Sequence, residues 1–242
     1  MIDEVFDRLV DQAWPAIHRV DAGGWILRAA DGVTKRANSV LPLGERGDLE
    51  AGVEAAEKFY ADRGLPCVFS VGGGATPGLD ALLHARGYRV VDPTLVMTVS
   101  LVPEAPWNGA GASQEEVDLA EAPSRAWLDA WWSVDGRSGG DGLATAVRIL
   151  TGVPATYASL GEEAVGRGVV QGEWFGIYSM AVVPHARRKG HGRKVLRALL
   201  THAREQGTQR AYLVMVESNT VARALYERHG FTVAGRYHYR VR

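Results

Sequence analysis

The sequence has a single cysteine, no long apolar run and almost no net charge. Cys67 alone cannot form an internal disulfide, a cysteine-rich zinc site or a CxxC redox pair, which favours a reducing compartment. No stretch reaches the roughly 18 consecutive apolar residues of a membrane-spanning helix. The N-terminus is acidic where a signal peptide is basic. We therefore expect a cytoplasmic protein that does not associate with membranes.

The charge balance excludes several kinds of partner. The chain has 27 Lys and Arg against 28 Asp and Glu, a net charge of −1, which argues against a protein that coats nucleic acid. The seven histidines show no metal-binding spacing such as HExxH, so no metal is expected. Hydrophobic residues make up 46% of the chain, which excludes disorder and suffices for one large domain or two small ones.

Residues 103–113, PEAPWNGAGAS, lack both helical and strand periodicity and are predicted to be a linker. They separate residues 1–102 from residues 114–242. The two parts match without gaps at an offset of 143 residues, the separation of Gly64 from Gly207. The other matched pairs are Phe69 with Tyr212, Val71 with Val214, Leu82 with Leu225, Gly87 with Gly230, and Tyr88 with Phe231. The pattern indicates two copies of one unit.

Hydrophobic periodicity predicts the same order of elements in both halves. In the first half we expect helices over 50–63 and 79–86 and strands over 68–71 and 89–101. In the second half we expect helices over 124–134, 143–151, 193–206 and 220–228, and strands over 155–160, 164–171, 174–183, 210–216 and 231–241. Helices that alternate with strands indicate an α/β fold with a mixed sheet.

The most informative segment is a strand that runs into a glycine-containing loop and then a helix. Residues 187–197 hold six Lys or Arg and no acid, while the chain as a whole is neutral. Such a loop directs backbone N–H groups and the positive end of the helix dipole at one point, which suits a diphosphate. A solvated helix face and a nucleic-acid patch are the alternatives. A second glycine run, residues 72–74, has no basic neighbours, which favours a turn over a phosphate loop.

Two motifs in the second half resemble those of one enzyme superfamily. Residues 187–192, RRKGHG, resemble the acetyl-CoA loop [Q/R]-x-x-G-x-[G/A] of the GNAT acetyltransferases. Downstream, Asn219 followed by the Leu225-Tyr226 pair and by Gly230-Phe231 is similar to the second GNAT motif. Their combination, with a helix and a strand between them, implies an α/β mixed-sheet GNAT fold in two tandem lobes, typical of a bacterial and chiefly actinobacterial group.

The resemblance implies different roles for the two lobes. Residues 114–242 correspond to a complete, catalytic GNAT domain and residues 1–102 to a degenerate GNAT-like lobe. At the 143-residue offset the cofactor loop falls on Gly44-Glu45-Arg46-Gly47-Asp48-Leu49, whose two acids would repel a diphosphate. Leu83 stands where the second half has Tyr226. We expect one active site, with the first lobe as scaffold and as one wall of the substrate cleft.

The resemblance also implies an activity, the transfer of an acetyl group from acetyl-CoA to a primary amine in a ternary complex. In GNAT proteins the fourth and fifth strands splay apart and the pantetheine arm lies between them. Backbone groups of the fourth strand would contact this arm, and an N–H of Ala181 or Val182 would stabilise the oxyanion. The implied cofactor-binding residues are Met180, Ala181, Val182, Val183, Arg187, Arg188, Lys189, Gly190, His191, Gly192, Arg193 and Asn219.

The implied catalytic residues are Tyr226 and Glu173. Tyr226 occupies the position of a tyrosine that gives its proton to the departing thiolate; the alternative is a packing role with its hydroxyl bonded to backbone. The general base is less defined, because the glutamate positions used by other members are Gly176 and Val214 here. Glu173 is the nearest acid on the fourth strand, Glu217 ends the fifth, and water is a third route for the proton.

The helical region that borders the acceptor groove in GNAT folds corresponds here to a segment with three tryptophans. Trp127, Trp131 and Trp132 are close to Asp129 and Asp135, so this helix forms either core packing or a pocket for a cationic amine. The glycine-containing loop 135–142 is predicted to be a mobile lid. The acceptor is a small-molecule amine or a protein amine, and the chain is a monomer or homodimer. A CoA-binding sensor without turnover and a transferase of longer acyl groups are the alternative functions.

Overall fold

An amphipathic helix begins the fold. In the computed structural model, which describes residues 2–102, 117–136 and 142–242, helix α1 spans Ile2–Ala13. Its apolar residues recur at helical spacing, and Phe6, Leu9, Val10 and Ala13 are buried. This helix is additional to the elements that periodicity predicts.

The first half continues with five strands and two helices. They are β1 His18–Ala22, β2 Trp25–Ala29, β3 Val40–Pro42, α2 Leu49–Ala61, β4 Val68–Val71, α3 Leu79–Ala85 and β5 Arg89–Ser100. The four predicted elements from α2 to β5 are confirmed to within two residues at each end. The short strands β1 to β3 were not predicted.

The second half contains the remaining elements. They are β6 Asp118–Ala120, α4 Arg125–Asp135, α5 Leu143–Leu150, β7 Thr156–Leu160, β8 Ala164–Gln171, β9 Trp174–Val182, α6 His191–Glu205, β10 Arg210–Val216, α7 Thr220–Glu227 and β11 Thr232–Val241. Every predicted element is confirmed, and β6 is additional. The predicted linker, residues 103–113, and residues 137–141 of the predicted lid lie outside the described residues.

The described strands form one 11-stranded sheet in the order β1-β2-β3-β4-β11-β5-β10-β9-β8-β7-β6. The pairs β3–β4 and β9–β10 are parallel, and the other neighbours are antiparallel. This confirms the α/β mixed sheet. The sheet runs without interruption from the first half to the second.

The two halves exchange their last strands. By the 143-residue offset β4 corresponds to β10 and β5 to β11. Yet β5 pairs with β10, placing Val96 opposite Val214, and β11 pairs with β4, placing Tyr239 opposite Ser70. Each lobe is therefore completed by a strand from the other. The domain boundaries at residues 102 and 114 stay a prediction.

Helices cover both faces of this sheet. The predicted apolar face of α6, formed by Val195, Leu196, Leu199, Leu200 and Ala203, is fully buried against β5, β9 and β10. Gly207, with φ at +77°, follows the helix end in the left-handed conformation that glycine adopts without strain. Helices α1, α4 and α5 pack together in a second core. Within the described ranges, no helix combines the length and apolar character needed to span a bilayer.

Candidate active site

The parallel strands β9 and β10 separate towards their carboxyl ends. Their pairing runs from Trp174 opposite Arg210 to Ile177 opposite Leu213 and stops there. Beyond that point a cavity of about 760 Å³ opens between the two strands. The predicted splay is therefore present, and the cavity has the size of a small-molecule site.

Residues from both halves of the chain line this cavity. The second half contributes the carboxyl ends of β9 and β10, the start of α7 and the end of α4. The first half contributes Trp14 and residues 32–36, and Tyr237 and Tyr239 come from the exchanged strand β11. Residues of the first lobe thus form part of the cavity wall.

A bulge in β9 shapes the cavity wall. The register between β8 and β9 shifts between Val165 and Arg167, and opposite this shift Ser179 has a φ of +53°. Such a backbone conformation is uncommon outside glycine and is typical of functional sites. Met180 and Ala181 follow the bulge and line the cavity, whereas Val183 is buried in the core beside it.

The backbone beyond the bulge alternates in direction. Val183 N–H donates to the Glu163 carbonyl at 2.9 Å, so Val183 faces β8. In an antiparallel ladder the next residue faces the other way, which directs the Val182 N–H and carbonyl away from β8. Consistently, the Val182 carbonyl accepts a hydrogen bond of 3.2 Å from Arg187 Nε.

The predicted cofactor loop leads into the N-terminus of α6. Arg188 has a φ of +68° and Gly190, at the N-cap, a φ of +84°. No side chain caps this helix, so its first N–H groups are available to an anion. The side chains of Arg187, Arg188, Lys189 and Arg193 are exposed around it.

Gly192 brings the start of α6 against β9. A Cβ atom at Gly192 would lie 3.4 Å from Val182 Cγ2 and 3.7 Å from Leu225 Cδ2. The loop and the carboxyl end of β9 therefore lie next to each other, so that one extended ligand can contact both. His191 Nε2 lies 3.5 Å from Glu163 Oε2, and its buried Nδ1 has no hydrogen-bond partner in the described residues. The loop therefore has unpaired donors and basic side chains that fit a diphosphate.

The equivalent loop of the first half is closed by its own side chains. Asp48 caps α2 by accepting the Ala51 N–H at 2.9 Å. The Arg46 guanidinium donates to the Ala22 carbonyl and lies 4.7 Å from the centre of the Trp25 ring. A carboxylate therefore already occupies the position of an anion at this helix, in line with the predicted degeneracy of the first lobe.

The glycine run at residues 72–74 also faces a carboxylate of the protein. Gly74 N–H donates to Asp7 Oδ2 at 3.0 Å. A Cβ at Gly72 would lie 2.2 Å from Asp7 Oδ1, so glycine is needed for this close approach. This run is a turn that packs on α1, which agrees with the turn interpretation.

Tyr226 lies on α7 and lines the cavity. Its side chain is 7% exposed and packs against Phe231, and no described residue hydrogen-bonds to its hydroxyl. Burial raises the pKa of Tyr226 to about 12. The hydroxyl thus lacks the backbone bond expected of a purely packing role, and its raised pKa keeps it protonated at neutral pH.

Asn219 is the N-cap of α7 and also lines the cavity. Its Oδ1 accepts the Ala222 N–H at 3.1 Å, which leaves the amide NH₂ group for a ligand. The capping function was not part of the sequence-based expectation. It fixes the orientation of this side chain.

The two candidate base residues lie away from the cavity lining. Glu173 precedes β9, at the end of the strand opposite to the opening, and its carboxylate lies 3.9 Å from Arg210 Nη1. Ser179 lies six positions further along the chain, about 20 Å along an extended strand. Glu217 lies 3.7 Å from Arg236 Nε. The structure brings neither carboxylate into the cavity, so the expectation for Glu173 gains no support.

The glutamate positions of other GNAT members are filled by packing here. A Cβ at Gly176 would lie 2.7 Å from the Tyr212 hydroxyl and 2.7 Å from Tyr178 Cε2. These two hydroxyls are 2.6 Å apart, and Tyr212 donates to Gln171 Oε1 at 2.6 Å. Val214 lines the cavity but has no titratable group. The tyrosine pair therefore occupies the space of a glutamate on β9.

The three tryptophans differ in their surroundings. Trp127 is core, 1% exposed, with Nε1 donating to the Ala158 carbonyl at 3.0 Å. Trp131 and Trp132 line the cavity. The aromatic wall already holds a cation of the protein, because the Arg36 guanidinium lies 5.3 Å from the Trp14 ring centre and 5.6 Å from that of Tyr178.

Arg36 reaches the cavity from a loop that the sequence analysis missed. Buried Asn38 organises this loop: Oδ1 accepts the N–H groups of Ala30 and Gly32, and Nδ2 donates to the Val33 carbonyl at 2.7 Å. Burial alone would lower the pKa of Arg36, but Tyr237, Tyr239 and Tyr178 raise it above its ordinary value. The loop is irregular, so no periodicity in the sequence marks it.

The sequence matches one known protein family and one known protein over almost its whole length. The family described as Probable histone acetyltransferase Rv0428c C-terminal matches residues 7–240. The chain belongs to this family. An uncharacterized N-acetyltransferase of Bacillus subtilis (strain 168), YobR, is 30% identical to this acetyltransferase over 244 residues, which cover 98% of this chain and 97% of that protein.

Solved structures show the same fold. A GCN5-related N-acetyltransferase from Kribbella flavida has a TM-score of 0.62 at 16% identity, with 97% of this chain and 94% of that chain covered. A tandem GNAT protein from the clavulanic acid biosynthesis pathway has a TM-score of 0.61 at 13% identity, with 98% and 86% covered. The acetyltransferase therefore has a tandem GNAT fold, as the two sequence motifs predict.

Proposed function

We propose that this acetyltransferase transfers the acetyl group of acetyl-CoA to a primary amine by direct attack within a ternary complex. One observation carries the proposal: the uncapped N-terminus of α6 packs at Gly192 against Val182, one residue beyond the cavity-lining Ala181 of β9, and Tyr226 lines the same cavity. A ligand with a diphosphate at one end and a thioester at the other matches this arrangement.

The diphosphate is assigned to the loop from Arg187 to Arg193. The first N–H groups of α6 donate to its oxygens, and the exposed basic side chains add charge. Gly192 allows the ligand to pass close to the backbone at Val182. The NH₂ group of Asn219 is assigned to the pantetheine arm or the acceptor.

The thioester carbonyl is assigned to the backbone of β9. Of the two expected oxyanion donors, the alternation of the strand favours Val182, because its N–H points away from β8 and towards the opening. Removal of one such donor typically costs about a hundredfold to a thousandfold in rate. Met180 and Ala181 form the adjoining wall.

Protons must leave the amine and reach the leaving group. As the C–N bond forms and the C–S bond breaks, Tyr226 donates its proton to the thiolate. A pKa of about 12 lies above that of a free thiol, about 8.5, so the transfer relies on burial of the thiolate in the same cavity, which raises its pKa too. The amine loses its proton to water, and the phenolate regains one from water.

The route through water replaces a carboxylate base. Asp92 and Asp135 are the acids that line the cavity in the described residues, and Asp92 forms an ion pair of 3.0 Å with Lys35. The volume of about 760 Å³ exceeds that of one water by a wide margin. An amine that enters in its neutral form attacks directly, and its nitrogen passes the excess proton to water once the C–N bond has formed.

A CoA-binding sensor remains the second candidate, because no glutamate lies at either usual base position. The two functions differ in turnover. Binding of acetyl-CoA without release of CoA in the presence of any amine would support the sensor, and transfer would exclude it. The same assay with longer acyl-CoA donors tests the third candidate, a transferase of longer acyl groups.

The experiment is a calorimetric titration of acetyl-CoA combined with an acetyl-transfer assay. Gly192→Asp introduces a carboxylate at the start of α6, where space for a Cβ exists, and the helix dipole stabilises the variant. We expect one site per chain in the wild type and at least tenfold weaker binding in this variant. The matched control is Gly47→Asp in the first-half loop, where a Cβ would meet nothing within 4 Å.

The control should bind acetyl-CoA like the wild type. Equal loss of binding in both variants would mean that the loop before α6 is not the cofactor site. Two sites per chain would show that the first-half loop also binds. No binding by the wild-type protein would exclude both the transferase and the sensor.

A further inference from the structure

Arg36 is a charged group in the cavity without a carboxylate partner. Its side chain is half-buried and lines the cavity beside Trp14 and Tyr178. Within the described part of the chain no carboxylate oxygen lies within 4.0 Å of its nitrogens, and its buried Nε has no hydrogen-bond acceptor. A cation in such surroundings is costly unless an anion accompanies it.

The carboxylates near this part of the fold are engaged elsewhere. Asp92 pairs with Lys35 at 3.0 Å, and Asp11 pairs with Arg19 at 2.8 Å and with Arg28 at 3.0 Å. Asp7 accepts the Gly74 N–H. The protein thus gives these neighbouring cations a carboxylate, whereas Arg36 has the side chains of Tyr237, Tyr239 and Tyr178 around it and, among the described residues, no carboxylate.

A second unpartnered donor lines the same cavity. Trp131 is 1% exposed, and its Nε1 has no acceptor in the described residues. The Trp14 ring contacts both groups, with its centre 6.4 Å from that of Trp131 and 5.3 Å from the Arg36 guanidinium carbon. Two donors around one ring, without an acceptor, match a ligand group that has only acceptor oxygens.

The loop that carries Arg36 is fixed in place. Asn38 bonds to four residues of it, and Thr34, a β-branched residue, has a φ of +60°. Trp14 Nε1 donates to Thr34 Oγ1 at 3.0 Å, which ties the loop to the cavity wall. Strain of this kind persists where the surroundings enforce it, and a preorganised guanidinium binds an anion at a lower entropy cost.

We infer that Arg36, with Trp14 beneath it, binds a carboxylate of the acceptor, so that the acetylated amine belongs to the amino-acid-like class. The inference rests on the proposed acetyl transfer. The acetyl group and the pantetheine arm have no charge, and the phosphates of CoA all lie at the nucleotide end, beyond that arm, so the acceptor is the component that supplies an anion next to the reacting carbon. A planar guanidinium suits a carboxylate because it forms two parallel hydrogen bonds.

The test compares amines that differ in the carboxylate alone. The wild type is assayed with acetyl-CoA and a panel of the twenty amino acids, each paired with its carboxamide. We expect a higher kcat/KM for the acids than for the amides and, in Arg36→Gln, a loss of that preference by about tenfold to a hundredfold. The effect should appear in KM for the acceptor, while calorimetric affinity for acetyl-CoA stays unchanged.

Two further variants separate charge recognition from packing. Arg36→Lys keeps the charge but loses the paired donors, so it should retain part of the preference. Arg46→Gln is the matched control, since Arg46 also lies over a tryptophan, Trp25, but does not line the cavity. Its preference for acids over amides should equal that of the wild type. The ratio between variant and wild type for one acid–amide pair also cancels the difference in amine pKa.

Several outcomes would overturn the inference. Equal use of acids and amides by the wild type, or an unchanged preference in Arg36→Gln, would show that Arg36 packs without binding substrate. An Arg36-dependent preference for succinyl-CoA over acetyl-CoA, with no preference among acceptors, would assign the carboxylate to the donor. Absence of acetyl-CoA binding would remove the proposed function, and this inference with it. Acetyl-CoA binding by Arg36→Gln equal to wild type shows that the variant is folded.

Discussion

The Asp48 carboxylate and the Ala51 N–H form a hydrogen bond of 2.9 Å at the start of α2, whereas the corresponding end of α6 has Gly190 and no side-chain cap. One lobe satisfies its helix N-terminus with its own side chain, and the other has no side-chain cap there. Under the proposed function, this difference separates a structural copy of the repeated unit from a cofactor-binding copy.

Asp48→Ala should therefore lower stability without affecting cofactor binding. Loss of an N-cap typically costs about 1 kcal/mol in the free energy of unfolding. Chemical denaturation measures this loss, and calorimetry should give the same acetyl-CoA affinity as the wild type. A changed affinity would mean that the first-half loop takes part in binding. A gain of a second site is not expected, because Arg46 still covers the loop.

Tyr226→Phe should reduce turnover and spare binding. The variant keeps the ring that packs on Phe231 and removes only the hydroxyl. Loss of a general acid typically costs about a hundredfold or more in rate, so kcat should fall by that amount. The control is Tyr88→Phe, whose hydroxyl donates to Glu57 at 3.0 Å far from the cavity. Turnover within a few-fold of wild type in Tyr226→Phe would exclude the acid role.

Gly176→Ala should destabilise the protein because the new methyl group meets Tyr178 and Tyr212. Overpacking of this kind typically costs about 1–3 kcal/mol, measured as a shift of the denaturation midpoint. Gly176→Glu should likewise give no gain in kcat, since the tyrosine pair occupies the space of the carboxylate. A faster enzyme would show that a glutamate base is tolerated at this position. Gly47→Ala, with open space around its Cβ, is the control.

The ion pair between Asp80 on α3 and Arg240 on the exchanged strand β11 should make the free energy of unfolding depend on pH in the acid range. The hydrogen bond from Arg240, with His238 beside it, lowers the pKa of Asp80 to about 2 from its ordinary 3.8. Because the folded-state value lies below the unfolded one, the stabilisation is present above pH of about 4 and is lost as the pH falls towards 2. Asp80 is 46% exposed, so solvent screening limits the effect to about 1 kcal/mol or less.

Asp80→Asn provides the comparison for this acid-pH effect. Its stability should change less than that of the wild type between pH 4 and 2, as followed by urea denaturation at each pH. Parallel curves for the two proteins would mean that the pair between α3 and β11 does not contribute.

Hydrophobic periodicity predicted the helices and strands of the second lobe well. The strand 164–171, the strand 210–216 and the apolar face of α6 follow from periodicity, and the cofactor loop from glycine and charge within a few residues. The short strands β1 to β3 gave no comparable signal. Helix α1 was missed even though its buried residues have helical spacing.

The sequence by itself determined the α/β order, because that order depends on neighbours in the chain, and the repeat, because the two halves match position by position. The resemblance of its motifs to GNAT proteins gave the candidate positions of Tyr226 and Asn219. Only the tertiary structure decided that the lobes exchange β5 and β11, that Glu173 lies at the wrong end of β9, and that Arg36 enters the cavity. These features depend on contacts between residues far apart in the chain, which periodicity does not encode.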